Sequence, residues 1–415
     1  MTSIINSSNS NSALINTINA SDSKHNPNIY STKKIYPAAA TTYVTTTKSS
    51  GSVGANQTMV FDLMKYGIAQ QMLLVYSKVG AGSEIKDYDF LDVIDRVELL
   101  SSSKVIDTLT KYDLLAQFSD LDASQFNIVN NSCIKARAAA DSHQVVVPLV
   151  FGFFKDINTN LNLQFNEPMS VRVRWGANLL QASAAVTLPD SGVYLKLRYK
   201  AYNESDFSEI LTENYNEPEL NQMSTGFYDE NATSRSYTQA AGAGARDQTF
   251  PLTGPGIKVE LKNTDCVNDF FISFKETTSY ASATSVNHQP LKINRVRFTA
   301  SGQEIFDLQG VELYYSKLCV NGFSIQTSGT SNIDYVAKIQ TGLWEYAGGG
   351  TQSNTLSLRE LNNPIIEVWP DTIALPANGG GADVVHSYDV VVVEDAVKIY
   401  STTSATGRVM TSLSN

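Results

Sequence analysis

Four histidines, His25, His143, His288 and His386, are the first residues to consider for metal or general-base chemistry. None has a second histidine at i+2, i+3 or i+4, the spacings that would put two imidazoles on one face to hold zinc. Asp87-x-Asp89-x-x-Asp92 offers three carboxylates to calcium but lacks the glycine and distal glutamate of an EF-hand loop, so a solvated acidic loop is expected. Gly348-Gly349-Gly350 and Gly379-Gly380-Gly381 are not followed by Lys-Ser/Thr, which a phosphate-cradling loop requires. No G-x-S-x-G elbow occurs. Glu367 and Asp371 form a carboxylate pair, but spacing alone does not make a glycosidase. Trp175, Trp344 and Trp369 fall in strand-like text and are expected in the core or an interface. Cys133, Cys266 and Cys319 are far apart and in no C-x-x-C spacing, which excludes a disulfide framework and a cysteine zinc site and reads as buried, reduced thiols. No catalytic, metal-binding or cofactor-binding residue, and no cofactor, is therefore expected.

The elements around these residues are short strands. Met59–Met64, Gln71–Val79, Val93–Leu100, Gln144–Phe154, Met169–Trp175 and Val193–Tyr202 are β-branched or aromatic runs bounded by Gly, Asn, Asp and Ser. Ile257–Leu261, Phe270–Lys275, Ile293–Thr299, Tyr335–Trp344, Thr355–Leu358, Ile365–Trp369, Ser387–Val393 and Val397–Tyr400 continue the pattern. Helix text is scarce: two turns after Thr110, over Tyr112 to Phe118, and a capping-box spacing at Asp206-x-x-Glu209. Such spacing of strands predicts a β-sandwich or barrel in each half.

Charged residues make up only 17 % of the 415 residues, and hydrophobic ones 42 %. The longest apolar run, Val145 to Phe154, is broken by Pro148 and Gly152 and is about half of what a spanning helix needs. No basic start followed by an apolar stretch marks a secretory leader at the N-terminus. Residues 1–60 hold Lys24, Lys33, Lys34 and Lys48 against Asp22 alone, a net +3; the total being −10, the other 355 residues carry −13. An acidic body cannot coat nucleic acid by phosphate neutralisation, so any contact with nucleic acid or an anionic surface falls to the arm. The division expected is a low-complexity arm at 1–54, a first β-domain at 55–215, a linker or loop at 216–247 and a second β-domain at 248–415. Segments 216–247, 278–290 and 346–354 are candidate outward loops from their Gly, Ser, Asn and Tyr content.

The two halves are related by a gapless match at an offset of 199 residues. Ile94-Asp95-Arg96-Val97-Glu98-Leu99 aligns with Ile293-Asn294-Arg295-Val296-Arg297-Phe298, followed by Ser102 on Ser301, Ile106 on Ile305, Leu109 on Leu308 and Leu114 on Leu313. Both copies read as a strand, a tight turn, a returning strand and a helix start with its leucine facing inward. Two such domains in one chain point to duplication.

Several segments, in order, are similar to those of one family. They are Val145 to Phe154 followed by Leu161-x-Leu163, then Leu195 to Tyr202, then Ile339 to Trp344 leading to Asn354 to Pro364. Last come Tyr388 to Val393 and Val397 to Tyr400 before a tail with Gly407. The chain resembles the double jelly-roll major capsid proteins of tailless icosahedral DNA viruses, the lineage that includes adenovirus hexon. It departs from them in Leu356, where an aromatic is common, and in Leu358 between Ser357 and Arg359. The resemblance implies an all-β fold of two tandem eight-stranded jelly-roll sandwiches, with short helices and a flexible N-terminal arm. It implies homotrimeric, pseudo-hexagonal capsomers tiling a virion shell, with neighbouring capsomers, penton and minor capsid proteins as partners. The arm, through Lys24, Lys33, Lys34 and Lys48, would face inward toward an internal membrane or the genome. The alternatives are a tandem β-sandwich spike or carbohydrate-binding surface protein, and a jelly-roll carbohydrate-active enzyme.

Overall fold

The structure, a computed structural model, describes residues 40–80, 85, 89–121, 123–135, 137, 144–154, 161–163, 168–177, 179, 187–201, 220–244, 246–248, 253–263, 266–276, 293–310, 312–313, 336–340, 356–371, 373–375, 383–403 and 409–412. In the first half lie β1 (Ala40–Thr46), β2 (Ser50–Gly51), β3 (Thr58–Asp62), β4 (Ile68–Ser77), β5 (Ile94–Ser101), β6 (Lys104–Thr110), β7 (Gln144–Pro148), β8 (Leu161–Asn162), β9 (Met169–Trp175) and β10 (Tyr194–Ala201). One sheet runs β1-β10-β4-β7, with β8 also paired to β4, and the other runs β2-β3-β9-β5-β6.

Alternation puts one face of each strand into the space between the sheets. Met59, Phe61, Val171, Val173 and Trp175 enter from one side, and Met72, Leu74, Val145, Val147, Leu195 and Leu197 from the other, all buried.

The second half repeats this order. It holds β11 (Leu220–Gln239), β12 (Arg246–Gln248), β13 (Ile257–Glu260), β14 (Cys266–Glu276), β15 (Ile293–Ala300), β16 (Gln303–Gln309), β17 (Val336–Gln340), β18 (Leu356–Ser357), β19 (Ile365–Pro370), β20 (Ile373–Leu375), β21 (Val384–Thr403) and β22 (Val409–Ser412). Its sheets run β11-β21-β14-β17 and β13-β19-β15-β16. With β2, β8, β12, β18, β20 and β22 set aside, eight strands remain in each half among the described residues. Their sequence order gives spatial orders 1-8-3-6 and 2-7-4-5 in both halves, the two facing four-stranded sheets of a jelly roll.

The offset of 199 holds to single residues. In the β5–β6 hairpin Leu99 pairs Asp107 and Leu100 pairs Val105, so Ile106 is bulged; in β15–β16 Phe298 pairs Phe306 and Thr299 pairs Glu304, so Ile305 is bulged. Both strands carry a second irregularity, after Ile94 and after Ile293, where they pair with β9 and β19. The helix Lys111–Ser119 opens on a capping box, with Thr110 accepting from the Asp113 amide while Asp113 accepts from the Thr110 amide. At the equivalent place Glu312 accepts from the Gln309 amide. Leu114 and Leu313 are both buried, as the repeat predicts. One ion pair is reversed in sign: Glu98 on β5 faces Arg172 on β9, and Arg297 on β15 faces Glu367 on β19. A cross-strand attraction does not depend on which strand holds which charge.

Two boundaries differ from the sequence reading. β1 and β2 lie within the segment expected to be a flexible arm up to residue 54. Thr and Val are β-branched and favour strands, and Val44 packs on the first core. β11 lies where a linker was expected at 216–247. Its polar text lacks a strand's alternation, and its pairing comes from β21, which it matches along nearly its whole length. The helix expected at Asp206–Glu209 and the loops at 278–290 and 346–354 lie outside the described residues.

Both hairpins turn through left-handed residues, Ser102 (φ 45°) with Ser103 (φ 78°), and Ser301 (φ 53°) with Gly302 (φ 75°). Two consecutive positive φ angles match the right-handed twist of the strands, and a non-glycine residue there costs ~1–2 kcal/mol. Ser103→Gly is expected to raise stability by ~0.5–1 kcal/mol and Gly302→Val to lower it by at least ~1 kcal/mol, measured as shifts in the thermal unfolding midpoint.

Candidate functional site

Of the residues singled out for chemistry, Asp89, Glu367, Trp175, Trp369 and Cys133 are buried in the packed fold. Asp89 is not in a solvated loop: it is buried, accepts from the Tyr76 hydroxyl at 2.9 Å, and is ion-paired with Lys78. The correction has a physical cause in Tyr76 of β4 and Lys78 just after it, which bring a hydroxyl and a compensating cation to the carboxylate. Burial pushes the Asp89 pKa up, and Lys78 opposes that shift. Both oxygens are thus engaged, and calcium has no claim on them. Asp87 lies outside the described residues.

Glu367 is buried against Arg297 and accepts from the Gly256 amide at 2.8 Å. It therefore ties a loop to β19. Trp369 donates its indole N–H to the Gly254 carbonyl at 2.8 Å, with the Arg295 guanidinium 4.5 Å from its ring centroid. Trp175 sits in the first core, and Trp344 lies outside the described residues. Cys133 is buried, its thiol pushed up to about 12 by desolvation. Cys266, expected to be buried, is exposed: at the start of β14 it points away from the core that its neighbour Val267 enters. Cys319, His25, His143 and His288 lie outside the described residues, and His386 is in β21. Among the described residues, no three His, Cys, Asp or Glu side chains gather as a metal site, and no helix is long and apolar enough to cross a membrane.

Of the arm lysines, Lys24, Lys33 and Lys34 lie outside the described residues. Lys48 lies against the first sandwich, donating to the Gly51 carbonyl at 3.1 Å and ion-paired with Asp190. The Lys48 hydrogen bond to the Asp190 carboxylate, with one from the Val53 amide, holds the Asp190 pKa below the usual carboxylate value.

The arrangement with most consequence is where one sandwich meets the other. The sheet of β11, β21, β14 and β17 is covered on both faces. Phe270, Ile272, Phe274, Val390 and Val392 point into the second core, while Phe271, Val391 and Val393 join the first. The helix Lys111–Ser119 packs on the outer face of β14 and β21. At its end Asp120 accepts from Lys338 of β17 at 2.8 Å, and Asp269 of β14 lies 3.4 Å from the same ammonium. Sequence reading missed this cluster because its members lie 218 residues apart at the widest, and no local pattern marks them. Burial pushes the Asp269 pKa up to about 6, with Lys338 opposing and Asp395 and Asp120 adding to the rise. Burial pulls the Lys338 pKa down, but Asp269 and Asp120 outweigh it and hold the ammonium above its ordinary value.

No protein-family model and no curated protein matches the sequence. Solved structures do. The chain is similar to VP54 of PBCV-1, as fitted into a reconstruction of the virophage Sputnik, at 12% identity and a TM-score of 0.61, over 92% of this chain and 98% of that one. It is similar to a chain of the PBCV-1 virus capsid at 12% identity and a TM-score of 0.57, over 91% and 98%. It is also similar to the Faustovirus major capsid protein at 9% identity and a TM-score of 0.53, over 88% and 91%. At these identities the likeness is one of fold. With the strand orders above, it makes this chain a double jelly roll.

Because Asp269 titrates higher folded than unfolded, the folded chain holds a proton there between the ordinary value of 3.8 and about 6. Its contribution to stability is full below that window and is lost as pH rises through it. The loss is on the order of 3 kcal/mol. Unfolding followed from pH 4 to 7 is expected to show a wild-type stability that declines relative to Asp269→Asn by that order, and parallel curves would refute the assignment.

Proposed function

We propose that a chain with this fold is a major capsid protein, three copies forming a pseudo-hexagonal capsomer that tiles the icosahedral shell of a DNA virus. The observation that carries the reading is the presence of two complete jelly rolls in tandem, with a likeness to VP54 that spans nearly all of both chains. Three copies would present six sandwiches in a ring, which is what a hexagonal outline needs. The composition is compatible: low charge with 20 tyrosines suits extensive, partly polar contacts.

On this reading the protein resides in the virion, is made and assembled inside the host cell, and acts by assembly rather than catalysis. In support, Asp89 and Glu367 are consumed by internal ion pairs. Its partners are further copies of itself, and penton and minor capsid proteins at the edges of the lattice. The basic N-terminal segment with Lys24, Lys33 and Lys34 would meet an internal membrane or the genome, and Lys48 would anchor its base to the sandwich. β1 starts at residue 40, so that segment can be removed without taking any of the described strands.

Sedimentation and negative-stain microscopy of the purified protein are expected to show a particle of three 45.3 kDa chains with a hexagonal outline. Monomers at all concentrations, or turnover of a glycan, would overturn the reading. Deleting residues 1–39 is expected to leave the trimer intact and to weaken its binding to anionic vesicles or DNA several-fold; unchanged binding would remove the role given to the arm.

A further inference from the structure

One ion pair of the first sandwich is made of two groups that can react with each other. The side chains of Lys78 and Asp89 are 3% and 4% exposed, whereas Lys48, Asp190 and Asp120 in the other lysine pairs described above are each about a third exposed. The backbone stays extended past the end of β4, where Val79 exchanges both main-chain hydrogen bonds with Thr187 at 2.7 and 2.8 Å. Alternation therefore puts Lys78 on the same inward side as Tyr76, which belongs to the first core. Asp89 opens the short helix Asp89–Val93, whose Phe90 is buried edge-on to Phe118 with ring centroids 5.4 Å apart. That helix packs against the turn Asn130–Ile134, which carries the buried Cys133. Amine and carboxylate thus meet in a part of the core shut off from solvent.

A lysine amine and an aspartic acid condense to an amide when three conditions are met. They must be held in contact, which makes the encounter intramolecular, with effective molarities up to ~10⁵–10⁸ M. Water must be excluded, because passing one proton from ammonium to carboxylate then removes two buried charges. The carboxyl oxygen that gains charge during attack needs a hydrogen-bond donor. The ion pair and its burial meet the first two. For the third, Lys78 is paired with Oδ1 of Asp89 while the Tyr76 hydroxyl donates to Oδ2 at 2.9 Å, so amine and donor hold different oxygens of one carboxyl. Burial and the Asp89 charge push the Tyr76 pKa well above its ordinary value, with Cys133 and Asp92 adding to the rise, so this hydroxyl keeps its proton. Burial, with a contribution from Asp92, moves Asp89 toward the acid form that reacts, against the pull of Lys78. Arginine pairs such as Arg297–Glu367 lack a nucleophile, because a guanidinium stays charged. Lys338 is held as an ammonium by two carboxylates, Asp120 and Asp269.

We infer that Lys78 and Asp89 join as a side-chain amide once the chain has folded, with the Tyr76 hydroxyl as donor to the reacting carboxyl. Lys78 passes one proton to Oδ1 of Asp89. Its Nζ lone pair then attacks Cγ, and the carbonyl electron pair moves onto Oδ2, against the Tyr76 hydroxyl. When the carbonyl re-forms, Oδ1 leaves as water, carrying the first proton and a second from the nitrogen, and an amide N–H remains. No oxidant or other co-reactant is consumed. The bond joins the two sheets of the first sandwich: Lys78 follows β4 of the β1-β10-β4-β7 sheet, and Asp89 leads into β5 of the β2-β3-β9-β5-β6 sheet. It restricts the unfolded chain as a disulfide does, without needing the oxidising compartment a disulfide requires. This inference does not depend on the capsid reading.

The test is the mass of the full chain after folding, which is expected to be one water lighter than its sequence gives. Trypsin is expected to spare Lys78 and, cutting at Lys65, Lys86 and Arg96, to release residues 66–86 joined to 87–96. Lys78→Arg keeps the buried charge without the nucleophile and is expected to show the full mass. Tyr76→Phe is expected to form the link on the order of a hundredfold more slowly after synthesis. A wild type of full mass, with Lys78 cut and 87–96 free, would overturn the inference. A water lost while Lys78 is still cut, as a cyclised aspartate gives, would overturn it equally. A Tyr76→Phe chain that links as fast as the wild type would remove the role given to the hydroxyl.

Discussion

The structure depends on one sheet that belongs to two cores. Val390, Val391, Val392 and Val393 are all essentially buried, two facing one sandwich and two the other. Fully burying such a side chain contributes ~1.5–3 kcal/mol, so this one strand ties the halves together at a strength no surface ion pair matches. A run of four valines without alternation is what burial on both faces demands. The same sheet excludes a flexible tether between independent domains, because Phe271 of the second half is part of the first half's core.

Several charges in this framework are answered by a partner on another element. Lys78 meets Asp89, Arg172 meets Glu98, and Arg297 meets Glu367. Lys338 meets two carboxylates, one from each sandwich. A buried charge without a partner would cost several kcal/mol, so these pairs register strands and sandwiches against each other more than they add net stability. The Glu98–Arg172 pair and its sign-reversed counterpart show that the requirement is complementarity at a register position, whichever strand supplies the cation.

The duplicated architecture also explains where the copies have diverged. The hairpins keep their bulges, their left-handed turns and the inward leucine, all of which are set by the backbone path. They differ on the outer side: β6 of the first hairpin packs against β11 and β22 of the other half, while Ile305 of the second hairpin is exposed. Ile106 and Ile305 are the same residue at the same bulge, yet one is buried and the other exposed. Position within the assembled chain, not residue type, decides which.

Much of this was legible beforehand, because the information is local. Strands such as Met169–Trp175, the helix after Thr110 and the repeat at 94–116 follow from alternation, capping and hairpin chemistry, each acting over a few residues. β1 and β11 were not legible: their polar, Thr- and Ser-rich text acquires strand structure only by pairing with β10 and β21. Asp89 read as a surface residue because its partners come from another strand, and Cys266 read as buried because residue type says nothing about which side of β14 it takes. The sequence alone determined an all-β chain, duplicated, with few charges and no visible catalytic set. The tertiary structure decided which sheet is shared between cores, which carboxylates are neutralised and which faces remain open. Those outcomes depend on contacts between residues up to hundreds of positions apart, which no local pattern encodes.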